Sequence, residues 1–155
     1  MQPKFLHDFV TRSHRGVYGI VRKGNQILVI RKARGPYTEL YDLPGESPES
    51  DETPEQTVVR EIKEETNRDL ISCQNKREKT IFFSQFTKES REEECLQHTG
   101  ILFDVEVSGE PTTQGDRLDS NGAVWVDIDT LSSENATPFV LMGCGKDVIN
   151  LANFL

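Results

Sequence analysis

Residues Thr53 to Asn67 carry the most restrictive local instruction in the chain, a complete set of helix start and stop signals in one short stretch. Thr53 suits the N-cap, Pro54 suits the first helical position, and Gln56, three residues after Thr53, completes a capping box. Asn67 tolerates the left-handed backbone that ends many helices. At roughly 100° per residue, Val58, Val59, Ile62 and Thr66 fall on one stripe, expected to face the core. On both sides lie runs rich in β-branched and aromatic residues: Val17–Val21 and Gln26–Ile30 before the helix, then Thr80–Phe86, Gly100–Val107 and Ala123–Ile128 after it. Lys23-Gly24-Asn25 has the chemistry of a tight hairpin turn. A helix set among strands joined by such turns buries its stripe against a sheet. The expected class is therefore α/β (α+β), a mixed sheet flanked by helices. Arg34-Gly35-Pro36 breaks the second strand, Tyr41–Ser50 reads as loop, Lys88–Glu94 as a charged turn and Gly109–Asn121 as a long irregular loop. Gly145–Leu155, with partly periodic Val148, Ile149, Leu151 and Leu155, is expected to close the chain as a helix.

The same helix holds Glu61, Glu64 and Glu65 on the arc beside the apolar stripe, with Arg60 and Lys63 toward the far side. A solvated acidic face would cost only about 0.2–0.5 kcal/mol per like-charged pair, so repulsion by itself decides nothing. Three carboxylates at i, i+3 and i+4 at the rim of a cleft also form an oxygen-rich wall suited to a hard divalent cation such as Mg²⁺. The residues around them favour that reading. Leu43-Pro44-Gly45 precedes the helix, and Glu52 stands eight positions before Arg60.

The rest of the chain narrows the partners. At 155 residues without an internal repeat, one domain over 1–155 is expected. The net charge of −8 argues against binding long nucleic acid through a basic surface. A small anionic substrate stays compatible, because a bound cation inverts the local field. Cys73, Cys95 and Cys144 are scattered and odd in number, which fits free thiols in a reducing compartment. With no apolar stretch of signal-peptide or membrane-spanning length, a cytoplasmic protein without a membrane partner is expected.

The stretch from residue 46 to residue 68 resembles the signature box of the Nudix hydrolases. That box reads Gly, five residues, Glu, seven residues, Arg-Glu, an aliphatic residue, any residue, Glu-Glu, any residue, Gly, then an aliphatic residue. Glu52 and Arg60-Glu61-Ile62-Lys63-Glu64-Glu65 match it without a gap. Three positions depart: Glu46 and Asn67 stand where the box has glycine, and Arg68 where it has an aliphatic residue. Glu46 is the departure with consequences, because a loop glycine often serves a positive φ or a close backbone approach.

The resemblance implies an α/β/α sandwich of Nudix, MutT-like type and hydrolysis of a nucleoside diphosphate linked to another group, with water attacking phosphorus. It implies Mg²⁺, with Mn²⁺ as substitute, bound by Glu64 and Glu65, with Glu61 as a further ligand or the base. It also implies a metal-binding carbonyl at Gly45 and a structural ion pair of Glu52 with Arg60. Asp116 and Asp119 precede Trp125, and Asp119, six positions before it, is the better candidate for a carboxylate from outside the box, against the turn-forming role of Asp119-Ser120-Asn121-Gly122. Arg31 and Arg34, with Arg22 and Lys32, are candidates for the phosphates, against solvated strand-edge charges. Asn135 is a candidate for the base edge, against an ordinary loop Asn. The substrate is expected to be a small nucleotide diphosphate derivative, and the assembly a monomer or homodimer. A competing reading is a weak or inactive Nudix-fold domain that binds a nucleotide or a protein partner. Glu46, Asn67 and Arg68 speak for it, and the complete carboxylate set against it.

Overall fold

A computed structural model of the chain describes residues 10, 12–31, 39–87, 92–109 and 122–146. In chain order the elements are β1 (Arg12–Ile20), β2 (Arg22–Lys23), β3 (Gln26–Arg31), β4 (Tyr41–Asp42), β5 (Gly45–Glu46), α1 (Pro54–Thr66), β6 (Leu70–Thr87), β7 (Glu92–Val107), β8 (Ala123–Asp127) and α2 (Pro138–Gly143). A 3₁₀ turn at Ile128–Thr130 follows β8. Neither described helix is long and apolar enough to cross a membrane.

The described strands form two four-stranded sheets. One runs β5-β1-β7-β6, with β1 parallel to β7 and the other pairs antiparallel. In the other, β3 pairs antiparallel with β2, β4 and β8. Val21, between β1 and β2, carries the chain from the first sheet to the second, and its carbonyl accepts from Leu28 N at 2.9 Å. The Lys23–Asn25 turn is the expected hairpin, with Gly24 at a φ of +60°.

Alternate residues of the strands enter two different cores, as the period of two requires. Tyr18, Ile20, Ile27, Val29, Leu102, Val124 and Val126 pack with Phe139, Val140 and Leu141 of α2. Val17, Val21, Leu28, Ile30, Ile101, Phe103, Val105 and Trp125 pack with Val58 and Ile62 of α1. A helix therefore covers each face, which is the expected mixed sheet flanked by helices.

Three local expectations are corrected, and a fourth lies largely outside the described residues. β6 and β7 are 18 and 16 residues long, reaching well before Thr80 and Gly100. The added part of β6 is polar, from Ser72 to Lys79, and is held by ladder hydrogen bonds to β7 at the edge of the sheet. No burial pattern marks such a strand in sequence. Glu92–Glu94, read as charged turn, belong to β7. The described closing helix is α2, announced by Thr137-Pro138 but too short for periodicity to reveal. Gly145 and Lys146 are not helical, and 147–155 lie outside the described residues. Finally, Val59 is 49% exposed, and the buried arc of α1 runs through Thr57, Val58, Glu61, Ile62 and Thr66 instead.

Candidate active site

The start of α1 forms as its sequence instructs. Thr53 Oγ1 accepts from Gln56 N at 3.2 Å, and Gln56 Oε1 accepts from Thr53 N at 2.9 Å. Asn67 ends the helix in the left-handed region, φ 57° and ψ 24°, its N–H donating to Lys63 O. At this position the glycine of the box is replaced without changing the backbone it serves.

The cap places Glu52 immediately before the helix, where it meets Arg60. Arg60 Nε donates to Glu52 Oε2 at 2.8 Å and NH2 donates to Oε1 at 2.9 Å, a two-pronged contact. Thr57 Oγ1 donates to Glu52 Oε1 at 2.7 Å, and Glu49 N donates to the same oxygen at 3.0 Å. The Arg60 guanidinium, then the Thr57 hydroxyl and the Glu49 N–H, pull the Glu52 carboxyl down from its ordinary 4.5 to about 2. The paired Glu52 raises the pKa of Arg60, and Glu61 adds to the effect.

Arg60 does not point to the far side of the helix. Its NH1 reaches Glu61 Oε1 at 2.5 Å and Glu64 Oε2 at 3.2 Å, and lies 3.7 Å from Glu49 Oε1. A long, flexible side chain on a helix flank swings toward whichever side carries opposite charge, so angular position by itself misplaces it. Glu61 is buried, Glu65 half-buried and Glu64 exposed, so the wall runs from the core to solvent within one turn. Glu65 Oε2 accepts from Gly45 N at 3.4 Å, which brings the preceding loop against the same wall.

Gly45 is held tightly. It pairs with Tyr18 of β1, and Pro44 O accepts from Gly19 N at 2.9 Å. Its φ is +148°, and a Cβ there would collide with the Val17 carbonyl and the Tyr18 backbone. The requirement for glycine therefore falls on Gly45. Glu46 is paired with Val17 and is not among the residues with positive φ, so a side chain is accommodated there and stays exposed.

A divalent cation suits the chemistry of this donor set: Glu61, Glu64 and Glu65 on one turn, with the Gly45 loop beside Glu65. Among the described residues the carboxylates do not converge on a ready-made cage, and Arg60 bridges two of them.

The remaining candidates are spread out. Arg31 is exposed, stacked over the Tyr41 ring at 5.4 Å. Arg22 is exposed and donates to Gly143 O at 3.4 Å, alongside α2 rather than α1. Asn135 spends both ends of its amide inside its own loop: Nδ2 donates to Thr130 O and Oδ1 accepts from Ser132 N, each at 2.8 Å. That is the behaviour of an ordinary loop Asn. Lys32, Arg34, Asp116 and Asp119 lie outside the described residues.

Sequence reasoning missed three contributors. Thr57 is buried and orients Glu52, and a lone Thr inside a helix carries no spacing signal. Buried Asp42 ties β4 to the start of α2, its Oδ1 accepting from Thr137 Oγ1 and Leu43 N, each at 2.8 Å. Arg68, at the aliphatic position of the box, lies over the Trp125 ring at 5.6 Å and donates to Ser108 O at 2.8 Å. Its flat head covers the indole as an aliphatic side chain would.

A family model described as NUDIX domain matches residues 11–140. An ADP-ribose pyrophosphatase from Methanocaldococcus jannaschii is 50% identical over 62 residues, covering 40% of this chain and 34% of that protein. The chain thus spans about a third of the curated relative it matches. Among solved structures, a MutT NUDIX hydrolase from Burkholderia pseudomallei is similar at a TM-score of 0.53 and 22% identity, covering 88% of this chain and 98% of that one. A NUDIX hydrolase from Nitrosomonas europaea is similar at 0.54 and 18%, covering 86% of each. At these identities the likeness to solved structures is a likeness of fold.

Proposed function

Because the chain belongs to the NUDIX domain family, we propose that it is a pyrophosphohydrolase that cleaves the diphosphate of a small nucleoside diphosphate derivative with the help of Mg²⁺. The observation that carries this reading is the placing of Glu61, Glu64 and Glu65 on one turn of α1, with Glu65 against Gly45 N and the Arg60–Glu52 clamp beside them. A one-third-length match to an ADP-ribose pyrophosphatase makes ADP-ribose the first substrate to test.

The chain's own groups divide the work. Glu64, Glu65 and the Gly45 carbonyl would hold the cation, with Asp119 as a further ligand. When bound, that cation offsets the charge of the diphosphate and lowers the pKa of its water. A carboxylate of the wall, Glu61 in this reading, orients or takes the proton of the attacking water. Arg60 and Glu52 do not touch the reacting atoms. They fix the loop before α1 to the helix. The low pKa of Glu52 keeps that clamp charged throughout the pH range in which such chemistry runs.

The test is a hydrolysis panel with Mg²⁺ or Mn²⁺ at alkaline pH, covering ADP-ribose, nucleotide sugars, dinucleoside polyphosphates and nucleoside triphosphates. Release of a nucleoside monophosphate from ADP-ribose is the expected result. No product from any member overturns the proposal. Nucleotide binding by calorimetry without any product would instead favour the competing, non-catalytic reading. Glu64→Gln is expected to lose most activity while staying folded, and unchanged turnover would remove the site assignment.

A further inference from the structure

Two buried polar side chains on the opposite face of the first sheet have no part in the reading above. Tyr18 and His98 are 2% and 6% exposed, and Tyr18 Oη lies 2.9 Å from His98 Nε2, joining β1 to β7. Burying a hydroxyl and an imidazole is costly unless each meets a partner, so aliphatic residues would fill this space more cheaply.

The surroundings are shaped for that contact. Gly16 and Gly100 are paired across β1 and β7. A Cβ on Gly16 would strike the Tyr18 hydroxyl, and one on Gly100 would press on the Phe139 ring. The two glycines make room for those rings, and His98 stands edge-on to both, with centroids 5.7 Å from Tyr18 and 4.8 Å from Phe139. From this hub two contacts run to β5. The Tyr18 ring lies against the Gly45 backbone, where even a Cβ would not fit. His14, with its ring centroid 5.0 Å from His98, has Nε2 3.6 Å from Glu46 Oε1.

We propose that His98 is a positioning residue, acting through Tyr18 to hold Gly45 at the carboxylate wall. The inference rests on the assignment of the Gly45 carbonyl, Glu64 and Glu65 as cation ligands. Tyr18 meets Gly45 from one side and Glu65 meets its N–H from the other. A ring free to rock about β1 leaves the loop carbonyl poorly aimed, and the helix carboxylates lose a partner ligand without themselves changing.

The test is Mn²⁺ binding by electron paramagnetic resonance, with the full chain and no nucleotide, alongside circular dichroism to confirm folding. Tyr18→Phe keeps the ring and removes the hydroxyl; His98→Leu keeps the volume and removes the nitrogens. Each is expected to weaken Mn²⁺ binding about tenfold, at the lower end of what groups orienting a ligand contribute. The double variant is expected to lose no more than either single one, because the two act as a unit. His98→Gln, whose amide both donates and accepts, is expected to restore most of the affinity. Glu64→Gln separates the two layers of argument. If it abolishes Mn²⁺ binding while Tyr18→Phe and His98→Leu bind as the parent does, the positioning role is overturned and the ligand assignment stands. If Glu64→Gln binds Mn²⁺ normally, the ligand assignment fails and this inference falls with it.

Discussion

Arg60 grips Glu52 with two hydrogen bonds, Nε to Oε2 at 2.8 Å and NH2 to Oε1 at 2.9 Å, and with its third nitrogen reaches Glu61 and Glu64. One guanidinium thus joins the loop before α1 to the acidic turn of the helix. It also supplies much of the positive charge that lets the glutamates sit so close.

Arg60→Lys keeps the charge but not the fork. A lysine ammonium is a point charge that cannot meet both Glu52 oxygens and Glu61 in one plane. The expected result is a lower melting temperature and a fall in kcat of about 10- to 100-fold, the scale on which small misplacements of a site act. Parallel kinetics and thermal unfolding check it, and parent-like kcat would mean that the clamp has no positioning role.

The low pKa of Glu52 gives a pH signature with a definite sign. Its folded pKa of about 2 lies below the ordinary 4.5, so its contribution to stability is complete above pH 4.5. That contribution disappears as the pH falls from 4.5 toward 2. Melting temperatures from pH 7 down to pH 3 are expected to drop less steeply below pH 4.5 in Glu52→Gln than in the parent.

Gly45 and Glu46 are expected to respond oppositely to exchange. Gly45→Ala forces a side chain onto the Val17 carbonyl at a φ of +148°, so it costs at least the roughly 1–3 kcal/mol of a strained backbone site. Glu46→Gly, which restores the glycine of the box, is expected to destabilise by about 0.5–1 kcal/mol, since Glu46 is ordinary extended strand. Urea unfolding of both variants tests this, and a gain in stability from Glu46→Gly would contradict the geometry.

The buried arc of α1 predicts another contrast. Ile62 is fully buried against the sheet, so Ile62→Ala is expected to cost about 2–5 kcal/mol. Val59 is half exposed, and Val59→Ala is expected to stay within about 0.5 kcal/mol of the parent. Equal losses in chemical denaturation would mean that α1 is rotated about its axis.

The legible parts of this molecule were those set by neighbours in sequence. The Thr53 cap, Pro54, Gln56 and the left-handed Asn67 delimited α1, because capping and helix termination involve residues within one turn. Gly24 announced the hairpin for the same reason. Strand interiors such as Gln26–Ile30 declared themselves by apolar content. The polar half of β6 did not, because ladder bonds to a distant strand, rather than burial, hold it in place.

The candidate site divides along the same line. Helical spacing by itself put Glu61, Glu64 and Glu65 on one turn and Glu52 one cap away. Only the tertiary structure decided that Thr57 rather than Val59 faces inward, and that Arg60 turns into the acidic wall. It also decided that the need for glycine belongs to Gly45 and not to Glu46. Tyr18 and His98 meet across 80 positions of sequence because β1 and β7 run parallel in one register. Local spacing encodes the shape of one helix turn. Which distant strand a residue faces is decided by how the whole chain buries its apolar surface.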